Sequence, residues 1–388
     1  MQNYTTDQIR NVVLLSHSGA GKTSLSEAML FTSGAIPRMG KTDEGTTCSD
    51  YEPEEQKREI SINLSVLPCS WKDNKINLLD TPGYDDFIGA VMAGTRVADG
   101  AIIVICATSG IEVGTELMWN HAEEKALPRF IFINKMDREN ANFDKVVAQV
   151  QEKFGRKCIP IQLPIGSHSN FKGIVDLIAM KAYCGGKEEE IDSAMESQVS
   201  SFREKLIEAV AEVDDELTMK YLDGGEISTE EIYRYLGEGV KTGKIVPVLT
   251  GSAFQNAGTA NLLDAICSYL PSPKEAAEIA AINPSTKEPV TIEADEKSPL
   301  AALVFMTSAD PFVGKLTFFR VYSGSIDTNA QLWNANKEQT ERLAQLFLFR
   351  GKSQETVQKV IAGDIGATAK LAAATTGDTF SSKERPLN

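Results

Sequence analysis

Four short and nearly unbroken apolar runs constrain this chain most: NVVLLS (11–16), AIIVICA (101–107), RFIFIN (129–134) and IVPVLTG (245–251). Strands buried on both faces read this way, because neither face needs polar side chains. Between several of them lie stretches with apolar residues at helical spacing, such as KTSLSEAMLF from Lys22. The alternation predicts a mostly parallel sheet with helices on both faces, an α/β architecture. Residues 60–70 and 75–79 add two strands joined by a turn at Asp73-Asn74.

The rest of the chain divides by pattern. Residues 34–59 are polar without periodicity, and a loop of that length is usually functional or disordered. Residues 138–244 separate two of the apolar runs and read as an inserted subdomain. Within it, Val199, Phe202, Leu206, Val210, Val213 and Leu217 fall on one face of a single helix. Ser228-Thr229-Glu230-Glu231 has the form of a capping box that opens another helix. The acidic clusters EEEID (188–192) and EVDDE (212–216) read first as solvated faces. A Pro-, Lys- and Glu-rich stretch (271–299) is a linker with one edge strand. Short strand patterns at close spacing follow, as in an all-β barrel or sandwich. The expected domains are 1–275 with the insert at 138–244, a linker at 276–294, and a β-barrel at 295–388.

Charge and cysteine usage exclude some functions. The net charge of −15 argues against broad contact with nucleic acid. It is uneven: residues 300–388 carry +2, and the first 299 carry −17. Six scattered cysteines (48, 69, 106, 158, 184, 267) contain no CxxC pair, so neither a metal cluster nor a disulfide framework is expected. No run of about eighteen apolar residues is present, and MQNYTTDQIR lacks the layout of a signal peptide. A reduced cytoplasmic protein without a membrane anchor, with nothing that demands an oligomer, is the expectation.

Four motifs follow predicted strands. Residues 16–23 read SHSGAGKT and match G-x-x-x-x-G-K-[S/T] except that Ser16 replaces the first glycine. His17, Ser18, Gly19, Ala20, Gly21 and Ser24 belong to this loop and the helix start. There, backbone N–H groups and the helix N-terminus point at phosphates. Lys22 would neutralise the β- and γ-phosphates, and the Thr23 hydroxyl would bind Mg²⁺. Asp80 ends a strand before Thr81-Pro82-Gly83. It can hold Mg²⁺ through water, and the Gly83 N–H can reach a γ-phosphate. In Asn134-Lys135-Met136-Asp137, the Asp137 carboxylate can accept the guanine N1–H and 2-amino group, donors that adenine lacks. Ser252-Ala253-Phe254 can offer N–H groups to the guanine O6. Each motif alone could be an ordinary turn. Together, in this order, they fit the crevice at the carboxyl ends of an open α/β sheet.

With these motifs the chain resembles the translational GTPases, specifically elongation factor G and the elongation factor G-like proteins. IQLPIGSHSNFKGIVDLIAMKAY (161–183) resembles the start of that family's G′ subdomain. FVGKLTFFRVYSGSI (312–326) and AGDIGATAKL (362–371) resemble its β-barrel second domain. The resemblance implies a P-loop GTPase domain with an inserted α+β G′ subdomain, followed by an all-β barrel. It implies binding of GTP with Mg²⁺ and hydrolysis to GDP and phosphate on the ribosome. The partners would be ribosomal RNA and, through the acidic insert, stalk proteins; the chain would be a monomer. Residues 34–61 would be switch I and 80–87 switch II. The family continues with three further domains, so a fragment of a longer protein is expected.

Four residues depart from the family pattern. Switch I usually ends Arg-Gly-Ile-Thr and here reads Arg58-Glu59-Ile60-Ser61, where Ser61 keeps a hydroxyl for Mg²⁺. Gly19 replaces a common aspartate. Tyr84 replaces the histidine that helps position the attacking water. With a pKa of about 10, a phenol does not become cationic near neutral pH. Two readings of Tyr84 stand side by side: it orients water beside Lys22 and Gly83, or it only packs the switch. A GTP-binding switch with little hydrolysis, and a ribosome-protection or release-factor type GTPase, remain alternatives. An ATP-driven P-loop enzyme is a third class, which Asp137 argues against.

Overall fold

The computed structural model describes residues 4–276, 278–284, 286–310 and 314–388. Its first strands are β1 (Ile9–Leu15), β2 (Ser65–Trp71), β3 (Asn74–Asp80), β4 (Gly100–Cys106), β5 (Arg129–Asn134) and β6 (Cys158–Pro160). The insert carries β7 (Gln162–Ile165), β8 (Gly173–Asp176), β9 (Lys181–Cys184) and β10 (Lys187–Glu189), and β11 (Val246–Thr250) follows it. Among the described residues, seven strands form one sheet in the order β2-β3-β1-β4-β5-β11-β6. Every neighbouring pair is parallel except β2 with β3. β1, β4, β5 and β11 are buried along their whole length, as their apolar runs require. The register aligns Leu14 with Asp80 and Thr250 with Ile133. All four motifs therefore open at one edge of the sheet.

The helices are α1 (Lys22–Thr32), α2 (Pro53–Arg58), α3 (Ile88–Arg96), α4 (Val113–Glu124), α5 (Phe143–Phe154), α6 (Glu196–Ala211), α7 (Asp215–Leu222), α8 (Thr229–Lys241) and α9 (Thr259–Tyr269). α8 opens with the expected reciprocal cap, in which Ser228 Oγ accepts from Glu231 N–H and the Glu231 carboxylate accepts from Ser228 N–H. The single helix expected across 199–217 is two. Asp214 turns extended and caps Leu217 N–H at 3.0 Å, which starts α7 afresh. The strand expected from residue 60 begins only at Ser65. The Glu55 carboxylate takes the Ile62 and Asn63 N–H groups, both at 3.0 Å, and draws that backbone away from the sheet. Within the aperiodic 34–59 stretch lies α2. Pro53 at its first turn, Glu54 and Glu55 near its start and Lys57 and Arg58 near its end all favour a helix too short to show periodicity. Cys158–Pro160 joins the main sheet beside β11, so the sheet extends into the stretch read as insert.

The linker holds two strands where one edge strand was expected: β12 (Ile279–Ile282) and β13 (Pro289–Ile292) pair as an antiparallel hairpin. The second domain comprises β14 (Ala301–Asp310), β15 (Gly314–Ser323), β16 (Ser325–Asp327), β17 (Gln331–Asn334), β18 (Gln339–Arg342), β19 (Leu346–Arg350), β20 (Ser353–Val357), β21 (Lys359–Ile361), β22 (Ile365–Ala369) and β23 (Thr379–Ser381). Eight of these form an antiparallel sheet around a core that includes Val304, Phe319, Val321 and Phe380. Phe312 and Val313 of the family-like stretch lie outside the described residues.

Buried polar groups fasten this domain to the first. Arg320 Nη2 lies 2.7 Å from Asp99 Oδ1, and Lys75 Nζ lies 2.7 Å from Asp364 Oδ2. Asn11 Nδ2 donates at 2.8 Å both to Asp99 Oδ2 and to the Gly363 carbonyl. Arg320 Nη1 reaches the Val97 carbonyl at 3.0 Å.

Candidate functional site

The loop between β1 and α1 needs two left-handed residues, Gly19 (φ +78°) and Gly21 (φ +95°). Gly21 is also crowded, because a Cβ there would sit 2.5 Å from Asn134 Nδ2. Lys22 is buried, and its Nζ donates to Ser16 Oγ at 2.8 Å. The residue that replaces the first glycine thus holds the loop lysine. Burial pulls the Lys22 pKa down to about 8, against the raising effect of Asp80 and Asp50. Phosphate oxygens in the loop would restore its charge. His17 lies at the N-terminus of α4, with Nε2 3.6 Å from Glu112 Oε1. Ser24 sits half-buried in the first turn of α1.

The Asn134-Lys135-Met136-Asp137 and Ser252-Ala253-Phe254 segments lie against this loop. Asn134 Nδ2 donates to the Ala20 carbonyl at 3.1 Å, and its Oδ1 accepts from Ala253 N–H at 2.9 Å. Lys135 takes a left-handed φ of +67° and donates from Nζ to the Gly19 carbonyl at 2.6 Å. Asp137 accepts from Ser252 Oγ at 2.5 Å, which orients the carboxylate proposed for guanine. Phe254 stands at the rim, 62% exposed. Asn134 and Lys135 thus donate to the phosphate loop, whereas Asp137 bonds to Ser252 instead.

The three residues expected around Mg²⁺ converge. Thr23 Oγ1 and Ser61 Oγ are 3.1 Å apart, although 38 residues separate them in the sequence. Asp80 accepts from Ser26 Oγ at 3.0 Å through Oδ2. Its Oδ1 is buried and makes no well-formed hydrogen bond among the described residues, although the Thr23 and Ser49 hydroxyls lie nearby. Burial raises the Asp80 pKa against the pull of Lys22. Asp50 completes the group. Burial and then Asp80 push it up to about 6, while Ser61 and Lys22 pull the other way. Two buried carboxylates close enough to disfavour each other's charge, with one orphaned oxygen, fit a divalent cation. Among the described residues no cluster of three His, Cys, Asp or Glu side chains could hold a metal alone. That suits Mg²⁺, which is commonly held by one or two carboxylates together with substrate phosphates.

Sequence reasoning did not single out Asp50 or Ser26. Asp50 lies in a run with Asp43, Glu44 and Glu52, and nothing in residue type separates it from them.

The loop after β3 closes on the phosphate loop. Thr81 Oγ1 donates to the Leu14 carbonyl at 2.7 Å. A Cβ at Gly83 would lie 2.7 Å from Lys22 Nζ and 2.9 Å from the Ser18 Cα, so only glycine fits this approach. Tyr84 comes next, 43% exposed, and its carbonyl accepts from Phe87 N–H at 3.0 Å. It therefore follows directly on the place where a γ-phosphate would sit beside Lys22 and Gly83.

Comparison with known proteins agrees with this geometry. Residues 7–272 match the family model described as the elongation factor Tu GTP binding domain, and residues 299–383 match elongation factor G domain 2. A crystal structure of a protein from Thermus thermophilus is similar, with a TM-score of 0.86 and 31% sequence identity. The match covers 98% of this chain and 55% of that one, so the chain spans about half the length of that relative. With a matched GTP-binding domain over most of its length and the second domain following in order, the chain belongs to the translational GTPases of the elongation factor G type.

Proposed function

We propose that the protein binds GTP with Mg²⁺ and hydrolyses it to GDP and phosphate as a ribosome-associated, elongation factor G-like translation factor. The observation that carries this is the closed cluster of Thr23, Ser61, Asp50 and Asp80 beside Lys22 and Gly83. Residues far apart in sequence meet where a γ-phosphate and its cation would lie. Thr23 and Ser61 would hold Mg²⁺ directly, and Asp80 and Asp50 through water. The ion would draw negative charge off the phosphates.

The chain's own residues do the rest. Lys22 and the Gly83 N–H steady charge on the γ-phosphoryl group as water attacks it and its bond to the bridging oxygen breaks. Asp137 selects guanine, with Ser252, Ala253 and Phe254 around the base. His17, Ser18, Gly19, Ala20, Gly21 and Ser24 shape the phosphate loop, with Asn134 and Lys135 as its braces. Tyr84 orients water through its hydroxyl. The division into a GTP-binding domain at 1–275, a linker and a β-barrel at 295–388 belongs to this reading. So do a cytoplasmic, monomeric state and contact of the acidic insert with stalk proteins.

The test is GTP turnover by the full-length protein with and without ribosomes, for wild type, Tyr84→His and Tyr84→Phe. Ribosome-stimulated phosphate release by the wild type, lost in Tyr84→Phe, is the expected result. Equal turnover of Tyr84→Phe and wild type removes the role of the hydroxyl. Bound GTP without stimulated turnover, rescued in Tyr84→His, makes the protein a slow switch instead.

A further inference from the structure

Switch I is pinned at its start by the second domain. Arg350, at the end of β19, donates from Nη1 to the Ala35 carbonyl at 2.9 Å and from Nε to the Pro68 carbonyl at 3.0 Å. It therefore bridges the first residues of the switch to β2, the strand that follows the switch. Gly351 takes a left-handed φ of +54°, and a Cβ there would overlap the Cys48 carbonyl. Its N–H reaches the Val66 carbonyl at 3.3 Å. On the other side of the same segment, the fully buried Glu27 of α1 accepts the N–H groups of Cys48 and of Gly40, the latter at 2.9 Å.

The segment 35–48 is thus gripped between α1 and the β19–β20 turn. Two residues beyond Cys48 stands Asp50, beside Ser61 and Asp80. Ser49 is tied as well, its carbonyl accepting from Ser65 Oγ at 2.8 Å. The path from the second domain to the cation cluster is therefore short and bonded throughout.

We propose that Arg350 and Gly351 are positioning residues for the GTP site: the β19–β20 turn is a clip that holds 35–50 so that Asp50 and Ser61 face Thr23. This rests on the Mg²⁺–GTP reading above. Neither residue touches the nucleotide; both act through switch I. On the reading above Ser61 meets the cation beside the γ-phosphate, so the clip favours the triphosphate-bound arrangement. By linkage, the γ-phosphate in turn tightens the β19–β20 turn.

The test uses the whole chain and compares wild type with Arg350→Gln and Arg350→Lys. Fluorescent GDP and a non-hydrolysable GTP analogue are titrated in Mg²⁺, and amide exchange is followed over 35–50. In Arg350→Gln, GTP-analogue affinity is expected to fall about five- to tenfold, while GDP affinity stays within about twofold. Exchange over 35–50 should rise, with Arg350→Lys intermediate in both readouts. Equal losses for the two nucleotides, or no loss and unchanged exchange, overturn the clip. A wild type that binds neither nucleotide removes the GTP reading; the exchange over 35–50 then decides on the clip, and no change there overturns it. If Arg350→Gln loses its native circular dichroism, Arg350→Lys, which keeps the cation, carries the same comparison.

Discussion

Replacing Arg320 with methionine isolates what the buried link between the domains contributes. The Arg320 and Asp99 side chains are 2% and 4% exposed. Arg320 Nη2 contacts both Asp99 oxygens, at 2.7 and 3.0 Å. In Arg320→Met the carboxylate keeps the Asn11 amide at 2.8 Å and loses its only countercharge within hydrogen-bond reach among the described residues. Leaving one member of a buried pair uncompensated costs about 3–5 kcal/mol. Methionine fills much of the vacated stem, so the packing loss adds less than about 1.5 kcal/mol. Arg320→Met should therefore lower stability by about 4 kcal/mol, whereas Asp99→Asn combined with Arg320→Met should cost less, because the stranded charge is gone. Urea unfolding reads this, with Trp71 and Trp119 reporting the first domain and Trp333 the second. Both signals should shift to lower urea together. A loss under about 1 kcal/mol for Arg320→Met, or a double variant weaker than the single, would refute the reasoning.

Two further outcomes are expected. Glu59 holds φ +56° at the end of α2, where a side chain costs about 1 kcal/mol. Glu59→Gly should slow amide exchange at 59–63 and stabilise this turn by about 0.5–1 kcal/mol; faster exchange would show that Glu59 contributes contacts that outweigh its strain. Burial raises the Glu275 pKa, but Lys241 and the Ser272 N–H outweigh burial and hold it down to about 2. Because this folded value lies below the unfolded one, the contribution is complete above about pH 4.5 and disappears as pH falls through about 2. Melting curves of Glu275→Gln and wild type should accordingly differ at neutral pH and converge in acid.

The parallel sheet was legible because its strands announce themselves as unbroken apolar runs. The motifs were legible because phosphate and guanine recognition need specific residues at strand ends. What stayed hidden depends on contacts distant in sequence. Nothing local says that Asp50 rather than Asp43 comes to lie beside Asp80 and Ser61, since the choice is made by Glu27, Ser65 and Gly351 gripping the loop around it. The break between α6 and α7 hides for a different reason. Val213 and Leu217 continue the apolar stripe across it, while Asp214 interrupts the backbone without changing the pattern. β12 and β13 are short and largely exposed, so their pairing leaves no alternation strong enough to separate a hairpin from an extended linker.

The contact between Gly21 and Asn134 bears on how such a site can be altered by design. The phosphate loop and the base-recognition loop are usually treated as separate cassettes, one for charge and one for identity. Here Asn134 and Lys135 hang their side chains on the carbonyls of Ala20 and Gly19, and Gly21 has no room for a side chain because of them. Grafting a different base-recognition sequence would leave two carbonyls of the phosphate loop without donors. On the proposed reading, a chimera built that way would lose its hold on phosphate along with its preference for guanine. Substitutions meant to retune nucleotide choice are best confined to Asp137 and Ser252, whose bond to each other leaves the phosphate-loop carbonyls to Asn134 and Lys135.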